Sequence, residues 1–445
     1  IWASSSFGYG SAMKENLAGI EDYTRIGSLL QPEQIVKYGE LTLRENQIAY
    51  ADPGFFRLFD FELLKGDKKT SLSMPGQVVI TERIARKYFK EEDPIGKILI
   101  FTGPYYKISC EVTGVMEEMP SNSHIHYNFL ISYTSLPKFI HEYWYKHEAY
   151  TYVLLDSPER EAEIEREFPV MAEKYKTEEA LKNKTWGVDL VPLADIHLTP
   201  QLGYEMETKG NRSAMIALVF AAIAILAIAW INYINLTVAR SMERAREVGV
   251  RRVVGAFRKQ LIHQFLFEAL VMNLIAFILA VGLIELILPY FNQLVGRTVT
   301  FSVWLMDYWW VLLVLVFIAG IFLSGYYPAL ALLNRKPITL LKGKFLHSKS
   351  GERTRQVLVI IQYTASMILL CGTLIVFAQL NFMRSQSLGV KTDQTLVIKF
   401  PGRTDGLNVK LEAMKKAIMR LPLVHSVAAS GAVPGEEVAL VAGSY

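Results

Sequence analysis

The chain has 445 residues, of which 51% are hydrophobic and 20% are charged, and its net charge is +4. This composition is too apolar for an ordinary soluble enzyme and too charged for a protein that lies wholly in a membrane, so a mixed membrane protein is predicted. The small net charge gives no reason to expect a nucleic-acid partner.

The opening region alternates helix-like and strand-like segments. "SAMKENLAGIEDYTRIGSLL" is typical of a helix followed by a strand. "GQVVITERIARKYF" predicts a strand that ends at Thr81, which caps a helix. The apolar residues of that helix are Ile84, Ala85, Tyr88 and Phe89. "YYKISCEVTGVM" then predicts another strand.

Later in this region, Ser157 begins a charged helix that extends toward Tyr175 and is interrupted at Pro169. "VDLVPL" then returns to a strand pattern. A region of 212 residues is long enough to bury its own core. We therefore expect an α+β domain of two lobes over residues 1–212.

Two histidines in "SNSHIHYNF" are the first candidates for a metal site. His124 and His126 lie two residues apart, on one face of a predicted strand. No further ligand accompanies them at a suitable spacing, which favours a role in the strand or in an interface. Cys110 and Cys371 are predicted to lie outside the membrane and within it respectively, so they are not expected to pair.

Catalytic motifs are missing from the sequence. Neither G-x-S-x-G nor H-E-x-x-H occurs, and the Gly-Lys pairs at 96–97 and 343–344 lack the spacing of a phosphate-binding loop. We assign no catalytic residue, metal ligand or cofactor, and any ATP is expected to bind another chain.

Four long apolar runs predict four transmembrane helices. They cover residues 213–236, 266–290, 308–333 and 356–380. At about 1.5 Å per residue each can cross a hydrocarbon layer of about 30 Å. A multi-pass α-helical bundle is therefore expected beside the α+β domain.

The distribution of Lys and Arg predicts the topology. Seven basic residues lie between the first and second runs and seven between the third and fourth, but only Arg297 lies between the second and third. Because basic loops stay in the cytoplasm, residues 1–212, 292–307 and 381–445 are expected outside. The predicted location is the inner membrane, with a large periplasmic domain.

The end of the chain repeats the order of its beginning. Residues 396–400 are strand-prone, and "NVKLEAMKKAIMRLPLVHSVAAS" reads as a helix followed by a second strand-prone run. The opening segment also places a helix before a strand. We expect a second repeat, with the chain truncated at both ends and a further span preceding Ile1.

The basic stretch "REVGVRRVVGAFRK" between the first two runs predicts an amphipathic helix. Its apolar stripe comprises Val250, Val253, Val254, Phe257 and Leu261. Glu247 and Arg251 can pair across one turn, while Gly249 and Gly255 allow close approach or a change of direction. These residues alone are compatible with two roles for the helix: it rests on anionic lipid, or it docks to another protein.

Around this stretch, "ARSMERAREVGVRRVVGAFRKQLIHQFLFEAL" resembles the hallmark of the FtsX/MacB-like permease family of ABC transporters. The matching residues are Glu247, Gly249, Arg251, Arg252, Gly255, Ala256, Phe265, Leu266 and Glu268. "ADPGFFRLFDFELLKGD", "VVITERIARKYFKEEDPIGK" and "VTGVMEEMPSNSHIHYNF" resemble its periplasmic core domain. "SGYYPALALLNRKPITLLKGKF" resembles the end of its permease unit.

The resemblance implies a domain order. Residues 1–212 would form the MacB-like periplasmic core domain, and 213–345 the FtsX-like permease unit with a coupling loop at 240–260. Residues 346–380 would form a cytoplasmic linker and the first span of a second repeat, and 381–445 the start of a second periplasmic domain.

The resemblance also implies a permease subunit that couples ATP hydrolysis by a separate cytoplasmic ATPase to movement of periplasmic domains. The implied ATPase-coupling residues are Glu247, Gly249, Val250, Arg251, Arg252, Val253, Val254, Gly255, Ala256 and Phe257. Other expected partners are the lipid bilayer and a periplasmic protein. The alternative is a transmembrane regulator of a periplasmic partner such as a cell-wall hydrolase, and the lack of a catalytic set argues against a membrane enzyme.

Overall fold

A computed structural model describes most of the chain. The described residues are 2–27, 33–103, 107–120, 122–141, 144, 147–176, 181–199, 202–203, 205–206, 210–243, 245–296, 299–300, 309–326, 329–330, 333, 349–386, 395–398 and 407–430. The chain divides into two units, one of residues 1–212 with 388–445 and one of residues 213–387.

One mixed sheet contains the ten strands found in the described part of the first unit. They are β1 Ile20–Gly27, β2 Glu33–Tyr38, β3 Leu41–Asn46, β4 Ile48–Ala51, β5 Leu63–Lys65, β6 Gln77–Thr81, β7 Ile98–Thr102, β8 Lys107–Met116, β9 Phe129–Ser132 and β10 Ala149–Leu155. Their order is β10-β1-β4-β9-β6-β8-β7-β2-β3, and β5 also pairs with β8. The β4–β9 and β6–β8 pairs are parallel, and the others are antiparallel.

Helices cover both faces of this sheet. They are α1 Tyr9–Asn16, α2 Phe55–Leu58, α3 Glu82–Phe89, α4 Lys138–His141 and α5 Glu161–Ala172. Successive residues of a strand point to opposite faces. Val78 and Ile80 accordingly join a core cluster with α3, while Val79 joins a second cluster with α2. The expected α+β domain is present, and its division into two lobes stays a prediction.

The predicted strand and helix around Thr81 are confirmed. Strand β6 ends at Thr81, and α3 follows at once with Thr81 in the N-cap position, although the Thr81 side chain makes no capping hydrogen bond. Ile84, Tyr88 and Phe89 are buried. The predicted strand at "YYKISCEVTGVM" is confirmed as β8.

Two expectations near residue 170 are wrong. Helix α5 continues through Pro169 to Ala172. Residues 188–193 form no strand, because the N–H of Leu190 donates to Glu165 Oε1 at 2.7 Å rather than to a neighbouring strand. Val188 and Leu190 pack against the cluster formed by α1 and α5.

A partly buried histidine makes the stability of this domain sensitive to acid. Burial lowers the pKa of His147, whose ring meets Trp2 and Tyr9 edge-on. As the pH falls through about 6.5 the unfolded chain takes up a proton that folded His147 resists, so stability falls. We expect His147→Phe to flatten the dependence of unfolding on pH between about 7.5 and 5.5, measured by tryptophan fluorescence. If stability depended on pH as steeply in His147→Phe as in the original protein, this role of His147 would be contradicted.

The described part of the second unit contains apolar helices and one short charged helix, Ala245–Val253. They are α6 Arg212–Glu243, α7 Ala245–Val253, α8 Arg258–Val295, α9 Trp309–Ile321 and α10 Lys349–Ser385. Within the described residues, the segments Arg212–Thr237, Arg258–Val295 and Gln356–Ser385 are long and apolar enough to cross a membrane. The third predicted span is represented by the shorter apolar helix Trp310–Tyr326. Four spans therefore stay a prediction.

Small residues bring α8 and the end of α9 together. The chain passes from α9 into a π-helical turn, Phe322–Tyr326. There Gly325 lies so close to Ala269 that an added Cβ would be 2.9 Å from the Ala269 side chain. Asn273 Nδ2 donates to Ser324 Oγ at 3.1 Å. A polar contact of this kind helps to hold apolar helices at a fixed register.

The end of the chain matches the expected repeat only in part. The predicted helix is present as α11, Leu407–Met419. The described parts of both strand-prone runs, residues 395–398 and 424–430, contain no strand. Residues 399–400 lie outside the described part of the chain.

Candidate coupling site

Helix α7 lies between the two apolar helices α6 and α8, where the sequence predicts one amphipathic helix. That prediction is wrong in one respect, because α7 ends at Val253 and α8 begins at Arg258. The N–H of Gly255 donates to the carbonyl of Arg252 at 3.3 Å. The N–H of Ala256 donates to the carbonyl of Arg251 at 2.9 Å.

These two hydrogen bonds form a Schellman motif, which commonly ends a helix with a glycine. Gly255 has a φ of 106°, which a residue with a side chain rarely adopts. Phe257 then has extended backbone angles and caps α8. Its N–H donates to Gln260 Oε1 at 3.1 Å. Gly255 therefore ends α7 before α8 begins.

One side of α7 is buried within the second unit. Val248 belongs to a core cluster with Leu261, Ala329 and Leu333, each at most 6% exposed. Gly249 and Ala245 are also buried. Leu261 therefore does not continue the exposed apolar stripe, as the sequence pattern predicts, but packs on the inner side.

The other side of α7 and the following turn expose four large apolar side chains. The exposed fractions are 51% for Val250, 65% for Val253, 82% for Val254 and 74% for Phe257. We call these four residues the docking face. Contiguous apolar surface at a segment interleaved with charged residues is typical of a site where a protein or a lipid surface binds.

The charged residues of α7 have different surroundings. Arg251 Nη2 lies 2.6 Å from Glu247 Oε1, and its Nη1 donates to Gln264 Oε1 at 2.9 Å. Both members of this pair are about half exposed. Arg252 Nη1 donates instead to the backbone carbonyl of Leu333 at 3.1 Å. Arg252 thus contacts its own chain.

The structure brings the predicted coupling residues 247–257 together, but not on one surface. Val250, Val253, Val254 and Phe257 point outward with Glu247 and Arg251. Gly249 and Arg252 face inward, and Gly255 and Ala256 form the turn. Sequence analysis missed Ala329 and Leu333 as partners of α7, although their i, i+4 spacing on an apolar segment is a signal of one helix face.

The two histidines considered as metal ligands make hydrogen bonds with the protein. His124 Nε2 lies 2.8 Å from the hydroxyl of Tyr152, and His126 Nε2 lies 3.1 Å from the carbonyl of Pro120. Both residues lie before β9 in a segment without strand structure, so the predicted strand position is wrong. Among the described residues, no group of three His, Cys, Asp or Glu side chains is arranged to hold a metal ion.

Two family models match the chain. Residues 3–169 match the MacB-like periplasmic core domain, and residues 219–337 match the FtsX-like permease C-terminal region. The docking face lies within the second match.

Curated relatives match about half of the chain. The macrolide export ATP-binding/permease protein MacB of Neisseria meningitidis serogroup A is 23% identical over 241 residues, which are 54% of this chain and 33% of that protein. The chain thus spans about a third of the length of this relative.

Solved structures match over a smaller share of the chain. A domain of a permease protein from Porphyromonas gingivalis has a TM-score of 0.36 and 23% identity, covering 40% of this chain and 74% of that one. The periplasmic region of MacB from Actinobacillus actinomycetemcomitans has a TM-score of 0.29 and 17% identity, covering 37% and 72%.

Proposed function

Because the chain belongs to the FtsX/MacB-like permease family of ABC transporters, we propose that it is a permease subunit of the inner membrane. In this proposal a cytoplasmic ATPase binds the docking face. Dimerisation of the ATPase driven by ATP then moves the apolar helices and, with them, the periplasmic domain. The proposal places the ATPase on a separate subunit, as the resemblance to the FtsX-like family implies, and neither Gly-Lys pair in these 445 residues has the spacing of a phosphate-binding loop.

The docking face is the observation that carries the proposal. Four exposed apolar residues follow each other within eight positions, between helices that can cross a membrane. Burying such side chains against a partner stabilises binding by about 25 cal/mol per Å² of apolar surface. The adjacent Glu247–Arg251 pair supplies charges at the rim, which favour the correct partner and orientation. An apolar centre with a charged rim is the usual arrangement of a protein interface.

The proposed topology can be tested by labelling with a thiol reagent that does not cross membranes. We expect Asp60→Cys to react in intact cells and Lys259→Cys to react only after the membrane is opened, because basic loops stay in the cytoplasm. Both side chains are exposed. The background variant is Cys371→Ser, since Cys371 is exposed on α10.

The remaining cysteine should not interfere with this measurement. Burial raises the pKa of Cys110 to about 12, so it stays a protonated and unreactive thiol in the folded domain. Labelling of Lys259→Cys but not Asp60→Cys in intact cells would reverse the proposed orientation.

The proposed function is tested by co-purification. The full-length protein is expressed with ABC ATPase subunits of its own cell, extracted in detergent, and assayed for bound ATPase and for hydrolysis stimulated by the permease. We expect one ATPase to co-purify and to be stimulated. Failure of every ATPase subunit to bind would overturn the proposal.

The same complex distinguishes export from regulation. If the periplasmic domain is crosslinked to a cell-wall hydrolase whose activity depends on ATP, the chain acts as a transmembrane regulator. If ATP instead drives movement of a small molecule out of the membrane or periplasm, the chain acts in export. The second apolar segment carries no charged residue between Glu268 and Glu285, and the interiors of the other two long segments are uncharged, which favours transmission of movement over a polar path through the bilayer.

A further inference from the structure

The two sides of α7 have different partners within one short helix. An α-helix advances about 100° per residue, so Val248 and Arg252 lie on one side and Val250 lies about 200° from Val248. Val248 is 6% exposed, whereas Val250 is 51% exposed. The helix therefore presents Val250 to a partner while Val248 and Arg252 contact their own chain.

The inward side joins α7 to two other segments of the same unit. Val248 packs in one cluster with Leu261 at the start of α8 and with Ala329 and Leu333. Ala329 and Leu333 both have helical backbone and belong to the same buried cluster. Ala329 follows the π-helical turn at the end of α9 by three residues. The cluster therefore connects α7 with both the second and the third predicted spans.

Arg252 adds a directional contact to this apolar cluster. Its Nη1 donates to the carbonyl of Leu333 at 3.1 Å. Hydrogen bonds with a charged donor are about twice as strong as those between neutral groups. The neighbouring Arg251 makes its hydrogen bonds at the exposed side, with Glu247 and Gln264.

We propose that Arg252 is a positioning residue that fastens α7 to Leu333, so that displacement of the docking face is passed to the third predicted span. This inference rests on the proposed function. Arg252 does not contact the ATPase, whereas Arg251 does. The two adjacent arginines of "VRRV" thus have separate roles, one in transmission and one in binding.

The first test needs no ATPase. Hydrogen exchange of the α7 amides is measured in the full-length protein in detergent for Arg252→Ala, Arg252→Lys and Arg251→Ala. Loss of a charged hydrogen bond should speed exchange about tenfold in Arg252→Ala. Arg251→Ala, which loses an exposed ion pair with Glu247 and an exposed hydrogen bond to Gln264, should change the exchange rate about twofold at most. Lys can still donate to the carbonyl, so Arg252→Lys should recover most of the protection.

The second test uses the complex with the ATPase. Spin labels at Leu218→Cys and Trp310→Cys, in the Cys371→Ser background, report the distance between α6 and α9. We expect this distance to change on trapping with ATP in the otherwise unsubstituted protein but not in Arg252→Ala, although the ATPase still binds within about twofold. Arg251→Ala should instead weaken binding about fivefold and keep the distance change.

The two tests separate this inference from the proposed function. If no ATPase binds the unsubstituted protein, the proposed function fails, while hydrogen exchange still decides whether Arg252 fastens α7. Equal exchange in the two alanine variants would overturn the inference. A normal distance change in Arg252→Ala would also overturn it.

Discussion

Replacing both Val254 and Phe257 with Asp is expected to abolish binding of the ATPase subunit, with Kd raised at least about 1,000-fold. The two side chains are 82% and 74% exposed, the largest fractions in the docking face. An interface that covers them would bury two unpaired carboxylates, each of which costs several kcal/mol. Loss of an exposed ion pair costs only about 1 kcal/mol or less.

Folding of the membrane unit should not change in this variant. Val254 and Phe257 lie outside the cluster of Val248, Leu261, Ala329 and Leu333, so the substitutions remove no buried contact. Both residues belong to the exposed turn between α7 and α8. The protein should therefore be recovered from the membrane in normal amount and elute as the original does in gel filtration.

The measurement is co-purification and stimulated ATP hydrolysis in detergent without anionic lipid, which removes membrane binding as a cause. The matched control is Arg258→Ala, an exposed change at the start of α8 that should alter Kd about threefold at most. Normal binding by the double Asp variant would favour a helix that rests on lipid. The ATPase contact would then be sought in residues 334–355, of which 334–348 lie outside the described part of the chain.

Secondary structure that depends on residues close in sequence can be predicted from the sequence, as the region around Thr81 illustrates. A run of consecutive apolar residues in β6 ends at Thr81, and helical spacing of Ile84, Tyr88 and Phe89 begins directly afterwards, so pattern alone places β6 and α3. Residues 188–193 show the limit of this approach. Their pattern is strand-like, but the N–H of Leu190 donates a hydrogen bond to the side chain of Glu165, which is distant in sequence.

The difference between local pattern and distant contacts also explains which features of the coupling site can be predicted from the sequence. The exposed apolar residues follow from periodicity, and the resemblance marks the correct stretch. Periodicity does not show that Gly255 ends α7, because glycine is compatible with a helix as well as with positive φ. Nor does it show that Arg252 faces inward, since its acceptor is a backbone carbonyl 81 residues away.

The periplasmic-type domain contains a buried ion pair between strand β1 and the residue that follows its neighbour, β4. Arg25 Nε lies 2.8 Å from Asp52 Oδ2, Nη2 donates to Oδ1 at 2.9 Å, and both side chains are less than 10% exposed. Arg25 also donates to the carbonyl of Phe7 and lies over the ring of Tyr133 at 4.0 Å. Burial disfavours the guanidinium charge, but the hydrogen bonds to Asp52 outweigh it and raise the pKa of Arg25.

Replacing Asp52 with Ala is expected to lower the free energy of unfolding of this domain by about 3–5 kcal/mol, because it leaves the Arg25 charge buried without its partner. That loss is a large share of the roughly 5–15 kcal/mol that stabilises a folded domain. Unfolding of the full-length protein in urea, followed by tryptophan fluorescence, measures it. Asp22→Ala, whose ion pairs with Lys14 and Arg57 involve side chains that are 40% and 50% exposed, should cost about 1 kcal/mol or less.

A double variant, Arg25→Met with Asp52→Leu, removes both charges together and should recover most of the lost stability. If Asp52→Ala and Asp22→Ala lowered the free energy of unfolding equally, burial of the Arg25–Asp52 pair would not determine how much the pair contributes to stability.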